Sequence, residues 1–170
     1  MNQGYYSQLD VLWTVFSKQP NATAHVRGSE KYPDIKGVVQ FYERQNNVLV
    51  VVEMMGLPTA EETCKKGIYA CHIHEGEACS GNMQDPFAGA RMHYNPAGCQ
   101  HPYHAGDLPP LFENEGYALS VFLTNRFRIE DVLGKTKIVH SDVDDFHTQP
   151  SGNAGEKIAC GEIVPVRMVM

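Results

Sequence analysis

The feature that most constrains the fold is the stretch Cys71-His72-Ile73-His74-Glu75, in which one apolar residue separates two histidines. Side chains at positions i and i+2 of a β-strand point the same way, so His72 and His74 converge while Ile73 faces the opposite side. Alone, such a pair is more often a solvent-facing strand than a metal site. The following segment adds four further donors within fifteen residues: His93, His101, His104 and Asp107. Together they favour a metal site.

Length and charge limit the classes of function. The chain has 170 residues, which fits one domain with a real core. A net charge of −6 argues against nucleic acid or an anionic membrane as a partner, because either would favour a basic patch. An anionic substrate would need a local positive field against that background.

The five cysteines are scattered along the chain: Cys64, Cys71, Cys79, Cys99 and Cys160. This spacing is typical neither of a zinc ribbon nor of a dense disulfide framework, so one or two disulfides plus a free thiol are expected, with the connectivity open. No signal peptide and no bilayer-spanning stretch is visible. The compartment is therefore open, extracytoplasmic if a leader was removed and otherwise cytoplasmic.

The chain divides into an N-terminal extension, residues 1–21, and a domain over residues 22–170. In the extension, Leu9, Leu12, Trp13 and Phe16 follow the period of an amphipathic helix. We expect this helix to pack on the body of the domain. A helix that binds a partner or dimerises is the alternative.

From residue 22 onward the pattern is one of short strands. Runs of β-branched and aromatic residues predict strands at 38–42, 48–52, 68–74, 117–123, 136–140 and 157–169, with a weaker one at 23–27. The pair Asn46-Asn47 tolerates positive φ and indicates a hairpin between the first two. Segments 75–112 and 141–155 have no period, and loops this long need a function or something to order them. The pattern predicts an all-β sandwich or barrel.

The histidines form two overlapping donor sets. The first could supply four nitrogens to one ion: His72, His74, His93 and His140. The second would be a tetrahedral site of three histidines and a carboxylate, the kind that holds zinc: His93, His101, His104 and Asp107. Imidazole suits copper and zinc, and an imidazolate at the shared His93 can bridge two cations.

A combination of motifs across residues 22–166 resembles the copper-zinc superoxide dismutase family. The matching segments are His72-Ile73-His74-Glu75, His93-Tyr94-Asn95-Pro96, His101, His104-Ala105-Gly106-Asp107-Leu108-Pro109, Val139-His140, Asp144-Asp145 and Gly152-Asn153-Ala154-Gly155-Glu156-Lys157-Ile158-Ala159-Cys160-Gly161. The resemblance implies an antiparallel Greek-key β-barrel or sandwich of eight strands with two long metal-site loops. The predicted N-terminal helix is an addition to it.

The resemblance also implies roles for single residues. Copper would lie on His72, His74, His93 and His140, and zinc on His93, His101, His104 and Asp107. Asp144 would link a copper ligand to a zinc ligand, and Cys79 and Cys160 would form a disulfide. Superoxide would be disproportionated to dioxygen and hydrogen peroxide by copper redox cycling, with His93 taking up a proton and returning it to peroxide.

Two departures from the family are visible. The position that normally holds arginine beside copper is Lys157, which keeps the charge but loses the planar fork of donors. We expect a lowered but substantial rate. The loops from His101 to His104 and from His140 to Gly152 are short, as in bacterial forms.

Other interpretations stay open beside the enzyme. A non-enzymatic relative, a metal chaperone or structural domain, would be favoured if a copper ligand were missing, and an unrelated zinc hydrolase would need an open zinc position. The stretch 132–136 resembles part of the dimer face of eukaryotic-type enzymes, although bacterial forms associate differently. A homodimer is thus an expectation without an assigned interface.

Overall fold

Short strands dominate the computed structural model, which describes residues 8–59 and 67–166. The helices are α1 (Gln8–Ser17), α2 (Ile129–Val132) and one 3-10 turn (Ala88–Ala90). The strands are β1 (Ala22–Gly28), β2 (Lys36–Arg44), β3 (Asn47–Met55), β4 (Ile68–Tyr69), β5 (Cys71–His74), β6 (Leu111–Phe112), β7 (Ala118–Thr124), β8 (Thr136–His140) and β9 (Lys157–Pro165).

The strands form one curled antiparallel sheet and a small second sheet. The order in the first is β5-β8-β9-β1-β2-β3-β7, and β4 pairs with β6 in the second. Only Ala70 separates β4 from β5; its carbonyl accepts a hydrogen bond from the backbone N–H of His140 at 2.9 Å. If β4 and β5 are counted as one strand that changes partners, the nine described strands become eight. The predicted all-β Greek-key class is confirmed.

The core lies inside the curled sheet because strand alternation sends one set of side chains there. In β1, the buried residues Ala22, Ala24 and Val26 alternate with more exposed ones. Phe41 of β2 and Ile158 of β9 are fully buried in the same cluster. Burying each large apolar side chain contributes about 1.5–3 kcal/mol, which makes the sheet a firm support for the loops it carries.

The hairpin between β2 and β3 is confirmed, but its turn differs from the prediction. Arg44 pairs with Asn47, so the turn consists of Gln45 and Asn46. The left-handed conformation falls on Gln45, with φ of 53°, and neither asparagine has a positive φ. A two-residue hairpin loop with positive φ at its first central residue matches the twist of the flanking strands, and this geometry decides which residue takes that conformation.

The predicted N-terminal helix is present as α1, and a stripe of residues outside the predicted one packs on the domain. Val11 and Val15, one helical turn apart, contact the cluster formed by Tyr42, Leu49 and Val51 on the outer side of β2 and β3. This places α1 on the body of the domain.

Buried Thr14 completes that stripe, and its hydroxyl accepts a hydrogen bond from Nη1 of Arg44 at 2.5 Å. Trp13 is 57% exposed, so its predicted core-facing position is wrong. The side chains of Leu9, Leu12 and Phe16 lie outside the described part. No described helix has both the length and the apolar character needed to cross a membrane.

A disulfide links the first long loop to the sheet. Cys79 in that loop is bonded to Cys160 on β9, as the resemblance implied. The bond closes a sequence separation of 81 residues, which on a chain-entropy estimate stabilises the fold by about 4 kcal/mol. Cys71 is buried in the core and Cys99 is exposed, and neither forms a disulfide within the described residues. Cys64, considered as a partner for Cys99, lies outside the described part.

Candidate metal centre

Strand pairing and the first long loop bring the donors together. His72 and His74 lie on β5, which pairs antiparallel with β8, the strand that ends at His140. The loop returns along β5 through two isolated bridges, from His74 to His93 and from His72 to Asp107. Residues up to 68 positions apart in sequence, His72 and His140, therefore meet at one end of the sheet.

Four histidines form the first donor group: His72, His74, His93 and His140. One nitrogen from each lies within 4.8 Å of the others, and all four side chains are buried. Nε2 of His74 is 3.1 Å from Nε2 of His140. Converging ring nitrogens shielded from water are suited to a metal that prefers imidazole.

Three histidines and a carboxylate form the second group: His93, His101, His104 and Asp107. The carboxylate of Asp107 lies 2.8 Å from Nδ1 of His93 and 3.1 Å from Nδ1 of His101. Nδ1 of His104 is 3.4 Å from Nδ1 of His93. A set of this type and number matches closed tetrahedral zinc sites.

His93 belongs to both groups through its two ring nitrogens. Its Nδ1 faces Asp107, while its Nε2 is buried without a hydrogen-bond partner among the described residues. Nδ1 of His72 is buried and unpartnered in the same way, and Nδ1 of His101 is buried without a hydrogen bond although the carboxylate of Asp107 lies 3.1 Å away. A buried polar atom without a partner is costly, and a cation between these nitrogens would satisfy them. The residues therefore fit two metal ions that share one imidazole.

Partners on the far ring nitrogens fix how the donors point. Asp144 accepts from Nε2 of His72 and from Nε2 of His101, each at 2.8 Å, which directs Nδ1 of both rings inward. Nδ1 of His74 donates to the carbonyl of Arg91 at 2.9 Å and leaves Nε2 for a metal. These bonds select the tautomer that each site needs.

The approach of Asp144 to His101 requires a glycine beside them. A Cβ on Gly152 would lie 2.0 Å from Oδ1 of Asp144 and 2.6 Å from Nε2 of His101. Gly152 also has a φ of 68°, which disfavours other residues. The second long loop can therefore close on the metal ligands only with glycine at this position.

Burial keeps three of the histidines neutral. It lowers the pKa of His72 and of His74 well below the ordinary value, and neighbouring histidines add to the effect. Burial and then His93 lower the pKa of His140 to about 3. Burial alone would raise the pKa of Asp107, but hydrogen bonding and charge from His93 outweigh it and lower the pKa. These three histidines and Asp107 are thus in the protonation states that bind metals.

A cavity of about 310 Å³ opens beside the first group and is lined by His74, His93 and His140. Lys157 also lines it, as the resemblance implied. Its ammonium donates to Oδ2 of Asp85 at 2.7 Å and to the carbonyl of Phe87 at 3.1 Å. The lysine charge therefore stands beside the first donor group already paired with a carboxylate.

Sequence reasoning missed Asp85 and Arg91 in this cavity, and Arg126 beside the second group. Arg91 lies two residues before His93, so the sequence alone could have predicted that it lies near the cluster. The contacts of Asp85 and Arg126 depend on loop conformation and had no such signal. Sequence reasoning also gave no role to Lys137, which is fully buried and donates to the carbonyl of His72 at 3.1 Å.

A sequence comparison decides the family. The family described as copper/zinc superoxide dismutase (SODC) matches residues 35–163, which includes both donor groups. The chain belongs to the copper/zinc superoxide dismutase family. Membership gives copper and zinc as cofactors, and the two donor groups offer ligands suited to both.

Curated superoxide dismutases match most of the chain. Superoxide dismutase [Cu-Zn] 2 of Aquifex aeolicus is 31% identical over 87% of this chain and 89% of its own length. The Deinococcus radiodurans enzyme is 31% identical over 75% of this chain and 76% of its own. The Legionella pneumophila enzyme is 27% identical over 90% and 93%. These relatives of the superoxide dismutase family are bacterial.

Proposed function

We propose that this protein disproportionates superoxide to dioxygen and hydrogen peroxide, the reaction of its family. The observation that carries the proposal is the sharing of His93 between two buried donor groups, each complete in number and type of ligand. A purely structural metal site would need only one closed group. Two groups joined through one imidazole suit a redox metal held beside a structural one.

We assign copper to the group of four histidines, His72, His74, His93 and His140. Zinc is assigned to His93, His101, His104 and Asp107. The carboxylate supports this division, because an oxygen donor added to three imidazoles is a common zinc set, whereas four imidazoles suit copper. The cavity also supports it, since it opens beside the four-histidine group and would give superoxide access to that metal.

Copper bound there would supply the one-electron chemistry, reduced by one superoxide and reoxidised by the next. His93 supplies proton transfer, because its Nε2 faces the first group and can hold a proton between the two half-reactions. Its Nδ1 stays on the zinc side, beside Asp107. Asp144 holds His72 and His101 in place throughout, through its two bonds of 2.8 Å.

Lys157 is assigned to the docking of superoxide beside copper. Its place on the cavity wall supports this, while its bond to Asp85 offsets part of its charge. We expect Lys157→Arg to raise the second-order rate constant, because the planar guanidinium can keep Asp85 and still present a second N–H to the anion. Pulse radiolysis would measure the change, and equal rates would count against the assignment.

The direct test compares superoxide consumption by protein loaded with stoichiometric copper and zinc against protein carrying zinc alone. A fast rate that needs copper and falls as salt rises is the expected result. If both metals are verified as bound and no copper-dependent rate is found, the enzymatic function is wrong. The protein would then be a metal chaperone or structural domain of the same family.

Two further proposals concern the compartment of the protein and its oligomeric state. The Cys79–Cys160 disulfide supports an oxidising, extracytoplasmic compartment. A homodimer stays a prediction, which sedimentation of the metal-loaded protein would test. Leu133, in the stretch that resembles a eukaryotic-type dimer face, is partly exposed and available for such a contact.

A further inference from the structure

Four charged residues line the cavity beside the four-histidine group: Asp85, Arg91, Glu156 and Lys157. Asp85 and Lys157 form an ion pair of 2.7 Å within it. Glu156 is bonded outward, to Nζ of Lys31 at 2.5 Å and to the hydroxyl of Tyr32 at 2.8 Å. Three of the four charges are therefore already matched by a partner.

Arg91 is the remaining charge. Among the described residues its guanidinium has no ion pair and no hydrogen bond, and the side chain is exposed to solvent. Its carbonyl oxygen does accept a bond from Nδ1 of His74 at 2.9 Å, so the backbone of Arg91 touches a copper ligand. The side chain of Arg91 lines the same cavity as the cluster, and exposed charges act over about 10 Å, the Debye length at 0.1 M ionic strength.

The backbone at this position would prefer another residue. Arg91 has φ of 60° and ψ of −139°, a region that glycine adopts readily and residues with a Cβ rarely adopt. A long cationic side chain is thus present at a position where the backbone conformation favours glycine, which has no side chain. Strain of this kind is concentrated at sites where the side chain has a use.

We propose that Arg91 is the principal residue that captures superoxide at the mouth of the copper site, while Lys157, paired with Asp85, contributes less at long range. The proposal rests on the function proposed above. A protein with a net charge of −6 repels an anion on average, so capture depends on an unmatched positive charge beside the entrance. Arg91 provides that charge without the carboxylate that offsets Lys157.

The test uses the full chain loaded with copper and zinc, and variants with single charge changes. Arg91→Gln removes the charge, and Arg128→Gln is the matched control, because Arg128 lies at the start of α2 and does not line the cavity. Lys157→Gln measures how much of the rate constant and of the azide affinity depends on the charge of Lys157, which is paired with Asp85. Two quantities are recorded as ionic strength rises: the second-order rate constant for superoxide, and the affinity for azide from its absorption band with copper.

At low salt, Arg91→Gln should lower the rate constant and the azide affinity about threefold, and the difference should vanish at high salt because it is electrostatic. Arg128→Gln should match the unchanged protein. Lys157→Gln should lose less of the salt-sensitive part than Arg91→Gln. If Arg91→Gln behaves like Arg128→Gln, or if Lys157→Gln loses more, the proposal is wrong.

Two further variants separate charge from folding. Arg91→Gly suits the backbone, so we expect a thermal midpoint at least as high as that of the unchanged protein together with the same loss of azide affinity. Asp85→Asn frees Lys157 and should raise azide affinity about twofold. Because azide binding needs no turnover, these results test Arg91 even if the protein has no dismutase activity. An absent copper-dependent rate would overturn the proposed function alone.

Discussion

Among the residues that the structure describes, Asp144 joins the two donor groups from outside. Its two carboxylate oxygens take the outer nitrogens of His72 and His101, and the side chain is almost fully buried. One oxygen also accepts from the backbone N–H of Phe146 at 2.8 Å, which anchors the carboxylate to its own loop. The orientation of one histidine from each donor group therefore depends on a residue that belongs to neither group.

Replacing Asp144 with alanine should lower the affinity for copper and for zinc by about 10–100-fold, because both rings lose the bond that selects their tautomer. Competition against chelators of known affinity would measure each metal separately. Asp142→Ala is the matched control, since among the described residues that exposed carboxylate accepts a side-chain bond from Ser141 alone, at 2.6 Å. Equal metal affinities in the two variants would contradict the role given to Asp144.

At this scale the sequence was most informative where chemistry requires one residue type. All seven predicted donors lie in two compact groups, and Asp144 lies where the resemblance placed it. The ion pair between Lys157 and Asp85 was not predictable, because it depends on the path of a loop between residues 72 positions apart. Hydrogen bonds to backbone donors and acceptors could not be predicted from the sequence either, since any residue can supply them.

Among the elements, the segment after β7 holds the loop that carries the second donor group. Nη1 of Arg126 donates to the carbonyls of Pro102 and His104, each at 3.0 Å, and lies 3.4 Å from the carbonyl of Asp107. One guanidinium nitrogen thus touches the backbone of two zinc-group residues. The loop has little regular structure of its own, so this contact substitutes for strand pairing.

Arg126→Met should keep much of the side-chain packing and remove these bonds. Zinc affinity should fall about tenfold, because one hydrogen bond to a charged group is worth about 1.5 kcal/mol or more. Copper affinity should change less, since three of the four copper-group histidines lie outside this loop contact. Chelator competition would measure both, with Arg128→Met as control. A zinc affinity equal to that of the control would show that the loop is ordered without Arg126.

The elements themselves were predictable to different degrees. Strong β-branched runs located β2, β3 and β8, because a buried strand needs such residues on its inner face. The short strand β6 has two residues and carries no readable period, whereas β4 and β5 lie within the single strand predicted at 68–74. Helix α1 was predicted by its period, but both a Leu-Trp-Phe stripe and a Val-Thr-Val stripe fit that period. Only the contacts with Tyr42 and Leu49 show that the valines pack, and only its exposure shows that Trp13 does not.

For the whole molecule, the buried histidines of the metal centre lower the free energy of unfolding of the metal-free protein when the pH falls. Three histidines buried at the centre have lowered pKa values, so they stay neutral in the folded protein well below pH 6.5. In the unfolded chain they take up protons near that pH. Between about pH 6.5 and the folded pKa values, the unfolded state binds more protons, and the free energy of unfolding therefore falls as pH falls.

This linkage predicts that the metal-free protein loses stability steeply on mild acidification. The contribution is fully present above about pH 6.5 and is lost as pH falls toward the folded values, about 3 for His140. Each histidine contributes up to about 1.4 kcal/mol per pH unit. Urea unfolding with a metal chelator at pH 7, 6 and 5 would measure the slope, in a window above the titration of the carboxylates.

His140→Gln should reduce that slope by about one third, because one of three such groups no longer titrates. Bound copper and zinc should flatten the curve over the same range, since protons must then compete with the metals for the same nitrogens. A metal-free protein equally stable at pH 7 and pH 5 would contradict the neutral, buried state of these histidines. It would also mean that water reaches the centre when the metals are absent.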